Sequence, residues 1–495
     1  MLTYDFEKRG KMSLYEYLYN CIKNDILSGK IKAGEKLPSK RTMAKNHNIS
    51  VITVENAYAQ LLVEGYIFSK EKRGYFASEI SGQYLNNGGI NGNKEKIVET
   101  KVSLKSGQIK KKIQDTKKQW LVDFNSNHIM YDSFPFSIWS RIMRQTLLDR
   151  ENSFLSSPLP NGVVELREAI ANHLMEFRGM EVDAENIIIG AGTEYLYSII
   201  VQLLGRDSVI AVEDPGYRKI GKVYESNGVE CLHLPIDNSG IQTKALLGKK
   251  IDAVHISPSH HFPTGRVMPV SRRQHLIHWA IENNGFIIED DYDSEFRFSG
   301  RPIPTMVGMD KERVIYMNTF SKTLAPSIRI AYMVLPDRLM EKFHTKLNFY
   351  SGTVSSFEQY TLANFIAGGY YERHINRMRN YYKDSRNKII TAIRNSSIYP
   401  QISIEEENSG LHFILRIKKN IDDENFKKYL KDKLINISCL TDYCYQYDDE
   451  VINEKFRKEF SHKFIINYSE VEESKMVEAL KIIEQALKFT AEKDT

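Results

Sequence analysis

The chain has 495 residues, 42% hydrophobic and 26% charged, with 28 Gly and 14 Pro. That composition excludes a disordered or collagen-like protein, and the length implies roughly three folding units. The net charge of +5 hides an asymmetry: residues 1–118 carry 22 Lys and Arg against 12 Asp and Glu, a net +10, which leaves −5 for residues 119–495. A basic front on an acidic body predicts a polyanionic partner for the front alone.

No apolar run approaches the ~20 residues of a membrane span, so no membrane association is expected. The N-terminus MLTYDFEKRGK lacks the apolar core of a secretory signal, so a cytoplasmic protein is expected. The four cysteines are too few for a disulfide framework in a chain of this length. Cys439 and Cys444 have no Cys or His nearby at zinc-site spacing, so reduced thiols and no metal site are expected.

In chain order, residues 13–29 place Leu14, Leu18, Cys21, Ile22 and Ile26 at helical spacing, with Gly29 as the stop. The stretch LPSKR follows, where Pro38 suits a helix start and Ser39 can cap a short helix over Lys40–His47. After a polar break at Asn48, Ser50 is positioned to cap a third helix. Its inward stripe is Val54, Ala57, Leu61 and Leu62, and Gly65 ends it. Two short helices around a tight polar turn make a helix-turn-helix, whose second helix enters the major groove. YIFSKEKRGYFAS then reads as two strands around a basic turn from Lys70 to Gly74, a wing.

This ordered set resembles the GntR family of winged helix-turn-helix regulators over residues 12–78. The resemblance implies a double-stranded DNA operator as partner. Ser39, Lys40 and Arg41 would meet phosphates, Thr53 and Tyr58 would lie on the groove-facing side, and Arg73 and Gly74 would form the wing tip. The family often has Arg directly after the serine of the recognition helix; here that position is Val51.

Residues 81–118 combine an Asn/Gly cluster with a lysine-rich stretch and show no apolar periodicity, which predicts a flexible basic linker between a DNA-binding domain over 1–80 and a body over 119–495. From Trp120 onward short apolar strands alternate with amphipathic helices, the pattern of an α/β fold with a largely parallel sheet. Ligands collect at the carboxyl ends of such strands.

Four strand ends carry polar groups. NIIIGAGTEY would present Gly192 and Thr193 at a helix start, an anion site. SVIAVEDPGY ends on Tyr217, positioned to lie over an aromatic ligand or simply to pack. GFIIEDDYD ends on Glu289, Asp290 and Asp291, whose crowded charges call for a cation that a ligand could supply. RVIYMNTFSKTLAPSIRIAYMV places Lys322 between hydroxyl residues with Arg329 beyond it. That spacing suits a carbonyl cofactor with a phosphate, Lys322 forming the Schiff base and Thr319, Ser321 and Arg329 holding the phosphate.

Taken in order, GAGT, EDPGY, PTG, DxY and SKxxxPxxR resemble the fold-type-I pyridoxal-phosphate enzymes of the aspartate aminotransferase class. The resemblance implies large and small subdomains, the small one built from residues near 120–150 and 340–490. It implies pyridoxal 5'-phosphate as cofactor, with Lys322 as its covalent anchor and catalytic lysine. Asp290 would pair with the pyridine nitrogen, Tyr292 with the phenolic oxygen, and Tyr217 would stack on the ring. Gly192, Thr193, Thr319, Ser321 and Arg329 would take the phosphate. A GntR-like head on an aminotransferase-like body resembles the MocR subfamily of bacterial regulators, which implies a head-to-tail homodimer.

Two departures separate the chain from the enzymes. Their NPTG reads Phe262-Pro263-Thr264-Gly265 here, and the Arg that clamps the substrate carboxylate is replaced by Ile465, two residues before Asn467. Arg218, Lys219 and Arg266 are the candidates to supply the missing charge. The expectation is therefore a transcription regulator that senses an amino compound, or pyridoxal phosphate itself, at Lys322. The alternative is a working aminotransferase that carries a DNA-binding domain.

Overall fold

The computed structural model describes residues 4–9, 12–70, 73–78, 120–126, 134–298, 303–408 and 410–490. They fall into two compact units, Met1–Lys112 with Pro135–Gln145, and Ile113–Phe134 with Thr146–Thr495. The expected linker at 81–118 lies outside the described residues. The helix Phe136–Asp149 is divided between these two groupings at Gln145.

In the first unit, helices Leu14–Leu27, Lys40–His47 and Val51–Val63 precede an antiparallel hairpin of β1 (Ile67–Lys70) and β2 (Gly74–Ala77). The chain caps two of these helices itself. The Ser39 and Ser50 hydroxyls accept from the backbone N–H of Thr42 and Thr53, each at 3.1 Å, satisfying N–H groups that have no partner within the helix. Leu18, Ile22, Ile26, Val54, Ala57, Tyr58 and Leu61 fill one shared core.

In the second unit, a two-residue strand β3 (Val122–Asp123) precedes the main sheet. That sheet consists of β4 (Ile187–Gly190), β5 (Val209–Asp214), β6 (Glu230–Asp237), β7 (Gly240–Ile241), β8 (Ala253–Ile256), β9 (Phe286–Asp290), β10 (Val314–Thr319) and β11 (Ala331–Val334). Their spatial order is β4-β11-β10-β9-β8-β5-β6-β7, and the five central strands from β10 to β6 run parallel. β11 runs against both of its neighbours. Strands β4, β5, β8 and β9 are buried along their whole length, which matches their near-continuous apolar runs and the two covered faces of a parallel sheet.

A smaller antiparallel sheet follows, made from β12 (Ile402–Glu405), β13 (His412–Ile417), β15 (Ser438–Cys439) and β16 (Lys463–Asn467) in the order β12-β13-β16-β15. Strand β14 (Ile435–Asn436) pairs in parallel with β3, which ties the start of the unit to this C-terminal layer. Among the described residues no helix is long and apolar enough to cross a membrane.

Candidate functional site

The carboxyl ends of β4, β5, β9 and β10 open on one cavity of about 360 Å³. Its lining includes Gly192, Thr193, Tyr217, Asp290, Tyr292, Thr319, Ser321, Lys322 and Arg329, residues drawn from four separate stretches of the sequence. Parallel strands end at the same sheet edge, so the topology gathers these positions. Among the described residues, no cluster of three His, Cys, Asp or Glu could hold a metal ion.

Lys322 lies in the short helix Phe320–Thr323 directly after β10. Burial lowers its pKa, partly opposed by Asp293, so its amine loses a proton more readily than that of a surface lysine. The Thr319 hydroxyl accepts from Ser321 N–H at 3.2 Å and caps this turn. The Ser321 hydroxyl donates to the Ile328 carbonyl at 2.9 Å, which folds the chain back toward Arg329.

Alternation along β9 resolves the crowded acids, because neighbouring residues of a strand point to opposite faces. Asp291 turns away from the cavity to Arg178 at 2.9 Å, both side chains being at most 1% exposed, and accepts from Tyr316 OH at 2.8 Å. Glu289 faces Arg273 at 3.9 Å and accepts from Met306 N–H at 2.8 Å. The cation expected from a ligand is supplied for two of the three acids by the protein's own Arg178 and Arg273, and of the three only Asp290 lines the cavity.

Asp290 is held from one side only. Its Oδ2 accepts from Tyr197 OH at 3.0 Å and lies 3.5 Å from His255 Nε2, and Tyr224 OH meets the other ring nitrogen of His255 at 2.8 Å. Its Oδ1 is buried with no hydrogen-bond partner. A buried acceptor without a donor costs about 1–3 kcal/mol, so this oxygen fits a ligand N–H, as a protonated pyridine would supply. No sequence motif singles out Tyr197 and His255. The available signals were a histidine inside the apolar strand Ala253–Ile256 and a tyrosine one turn after Thr193.

Gly192 has φ +93°, and a Cβ there would lie 2.5 Å from Arg329 Nη2, so the side chain of Arg329 occupies the space that a larger residue would need. The expectation that Gly192 presents its amide needs correction: that N–H donates to the Gly190 carbonyl at 2.8 Å. The first backbone N–H groups of the helix Thr193–Leu204 have no acceptor within the helix.

Tyr217 is 49% exposed at the cavity mouth and meets Phe262 edge-on, with ring centroids 5.8 Å apart. Tyr292 OH lies 3.3 Å from His260 Nδ1, which in turn pairs with Asp293 at 2.8 Å. Ile465 and Asn467 both line the cavity, so β16 presents an apolar side chain to it at Ile465. Arg218 and Lys219 also line it, whereas Arg266 is not among the lining residues. The segment Phe124–Ser126, which the sequence did not mark, forms part of the wall and is held by Asn467, whose side-chain amide donates to the Ser126 carbonyl at 2.9 Å.

In the first unit, Arg41 and Arg73 are exposed. Lys40 pairs with Glu55 at 2.6 Å. Thr53 shares its hydroxyl with Ser50 at 2.8 Å, and Gly74 closes the wing turn with φ +103°. Tyr58 does not lie on the groove-facing side. It is 0% exposed, and its hydroxyl donates to the Pro38 carbonyl at 2.8 Å. Its position one turn after Val54 and just before Leu61 places it on the inward stripe. The outward face of the helix Val51–Val63 instead presents Val51 and Ile52, 43% and 69% exposed, with Glu55 and Asn56.

Known proteins share both halves of this architecture. The family of bacterial regulatory proteins called gntR matches residues 14–76. The HTH-type transcriptional regulator YdeL of Bacillus subtilis is 38% identical over 405 residues, 82% of this chain and 84% of that protein. The probable rhizopine catabolism regulatory protein MocR of Rhizobium meliloti is 29% identical, covering 88% of each chain. The pyridoxine biosynthesis transcriptional regulator PdxR of Corynebacterium glutamicum is 28% identical over 85% of this chain and 87% of its own. In fold, the second unit is similar to the kynurenine aminotransferase of Pyrococcus horikoshii, at a TM-score of 0.63 and 21% identity over 78% of this chain and 95% of the enzyme. A winged helix-turn-helix and an aminotransferase fold joined in one chain, shared nearly end to end with these regulators, place it: the chain belongs to the MocR subfamily of the GntR family of DNA-binding transcription regulators.

Proposed function

We propose that this regulator binds pyridoxal 5'-phosphate in the cavity at Lys322 and that its DNA binding responds to an amino compound or to the cofactor itself. One observation carries the reading: a single cavity joins a half-buried lysine of lowered pKa, an Asp290 oxygen without a donor, and Arg329 at a glycine-bordered helix start. The similar kynurenine aminotransferase was solved with PMP, and the similar regulator PdxR is named for pyridoxine biosynthesis, which supports the same ligand class here.

When bound, the cofactor supplies an aldehyde that condenses reversibly with primary amines. Each of the chain's own residues has a part. Lys322 would offer an amine that burial makes easier to deprotonate, and Asp290, oriented by Tyr197 and His255, would accept the ring N–H. Thr193, Thr319, Ser321 and Arg329 would hold the phosphate, Gly192 would leave space for it, Tyr217 would lie against the ring, and Tyr292 would serve the phenolic oxygen. Ile465 in the cavity wall leaves a substrate carboxylate without its usual guanidinium, which favours sensing over amino-acid turnover.

In the DNA-binding unit, Ser39, Lys40, Arg41, Arg73 and Gly74 are the phosphate-side residues, and Thr53 lies on the recognition helix beside Ile52. We further propose a cytoplasmic head-to-tail homodimer in which ligand binding changes how the two winged helices meet DNA. Coupling of this kind is typically about 1–3 kcal/mol, a roughly 5- to 150-fold change in affinity.

The test is a titration of pyridoxal phosphate and a panel of amines against the affinity of the full chain for promoter DNA, identified by genomic footprinting, at fixed salt. The reading expects a shift in that range, absent in Lys322→Ala. Unchanged DNA affinity with every ligand counts against it, and steady multiple turnover of an amino acid with a keto acid supports the enzyme alternative.

A further inference from the structure

Glu194, the second residue of the helix Thr193–Leu204, borders the cavity with a carboxylate that holds two cations. Its Oε2 pairs with Arg329 Nη2 and its Oε1 with Lys219 Nζ. A Cβ on Gly192 would lie 2.5 Å from that Arg329 nitrogen and 3.0 Å from Glu194 Oε2, so carboxylate and guanidinium meet at the point where the helix opens. Burial works against the Glu194 charge, but hydrogen bonds and charge from Lys219 and Arg329 hold its pKa down to about 2. The carboxylate is therefore ionised throughout the neutral range, and its side chain is 28% exposed.

A phosphate monoester brings about −1.5 to −2 charges at neutral pH and needs basic partners. At this helix start its guanidinium partner is Arg329, which Glu194 already engages, and Glu194 adds a like charge beside it. Lys219 offsets part of that repulsion, because it remains on the shared carboxylate. We infer that Glu194 competes with the ligand's phosphate for Arg329 and so sets how tightly the cavity holds phosphorylated ligands, with Lys219 moderating the competition. This inference rests on the reading that the cavity takes pyridoxal phosphate. It assigns Glu194 a role in affinity that a purely structural ion pair would lack.

The experiment measures equilibrium binding of pyridoxal phosphate and of phosphate-free pyridoxal to the full chain, as wild type, Glu194→Gln and Glu194→Asp. Glu194→Gln should bind pyridoxal phosphate about three- to tenfold tighter, the range expected for one charged contact in a half-exposed site. Pyridoxal affinity should stay the same, and Glu194→Asp, which keeps the charge, should show no such gain. Lys219→Met should weaken binding of the phosphorylated ligand alone. Equal or weaker binding of pyridoxal phosphate by Glu194→Gln overturns the inference, as does a gain of equal size for both ligands. If wild type binds neither ligand, the cavity reading fails and takes the inference with it.

Discussion

Asp214, the last residue of β5, is 1% exposed and clasps the C-terminal strap Tyr443–Tyr447. Its Oδ1 accepts from Tyr445 N–H at 2.8 Å and its Oδ2 from Tyr447 OH at 2.6 Å, while the Arg218 guanidinium donates to the Cys444 carbonyl at 2.7 Å. Asp214→Ala removes both acceptors. The Tyr445 amide is then left unpaired at a cost of about 1–3 kcal/mol. Tyr447 retains the His233 carbonyl at 3.2 Å and loses less, so the combined penalty is about 2–4 kcal/mol.

Charge makes that penalty depend on pH. Burial pushes the Asp214 carboxyl from 3.8 up to about 6, against the pull of Tyr447, Tyr445 and Arg218. A folded pKa above the unfolded one means that the native state holds its proton longer. This group's stabilisation is therefore full below pH 3.8 and is lost as pH rises through about 6. The loss above that window is about 3 kcal/mol, since each pKa unit corresponds to about 1.4 kcal/mol. Asp214→Ala should thus destabilise clearly near pH 5 and only slightly near pH 8 in urea unfolding of the full chain. Tyr443 and Tyr445 line the cavity, so ligand affinity should fall alongside. A penalty as large at pH 8 as at pH 5 refutes the electrostatic part of this reasoning, and no penalty at either pH refutes the clasp.

Further outcomes follow from other buried groups and from the exposed basic face. Tyr58→Phe strands the Pro38 carbonyl and should destabilise the winged helix by about 1–3 kcal/mol, read as faster amide exchange in residues 37–61. Arg178→Leu leaves Asp291 buried without its cation and should cost about 3–5 kcal/mol in urea unfolding. Arg41→Ala should weaken binding to all DNA sequences alike and reduce the salt slope by about one counterion; unchanged binding argues against this placement of the head on DNA.

The parts legible in the sequence were those coded by short-range chemistry. Ser39 and Ser50 announce helix starts because a cap acts within one turn, and the Lys322–Arg329 stretch keeps its functional groups within one strand, turn and strand. The partners of Asp290 were hidden because the parallel sheet, not the local sequence, brings Tyr197 and His255 beside it. The acidic run misled for the opposite reason. Three neighbours in sequence are separated by strand alternation onto two faces, and Arg178, far away in the chain, neutralises Asp291. An aromatic with a polar tip suits either face of a helix, which hides the inward place that the spacing of Tyr58 from Val54 and Leu61 gives it and that the Pro38 carbonyl secures. Phe124–Ser126, Tyr443 and Tyr445 line the cavity from loops and short elements that carry no periodicity, so no pattern points to them.

The most direct test of the account is covalent. Full-length protein incubated with pyridoxal phosphate, reduced with borohydride and digested should carry a phosphopyridoxyl group on the peptide containing Lys322, and Lys322→Ala should lose it. Labelling spread over surface lysines, or none at Lys322, would contradict the central claim that this cavity holds the cofactor through that residue.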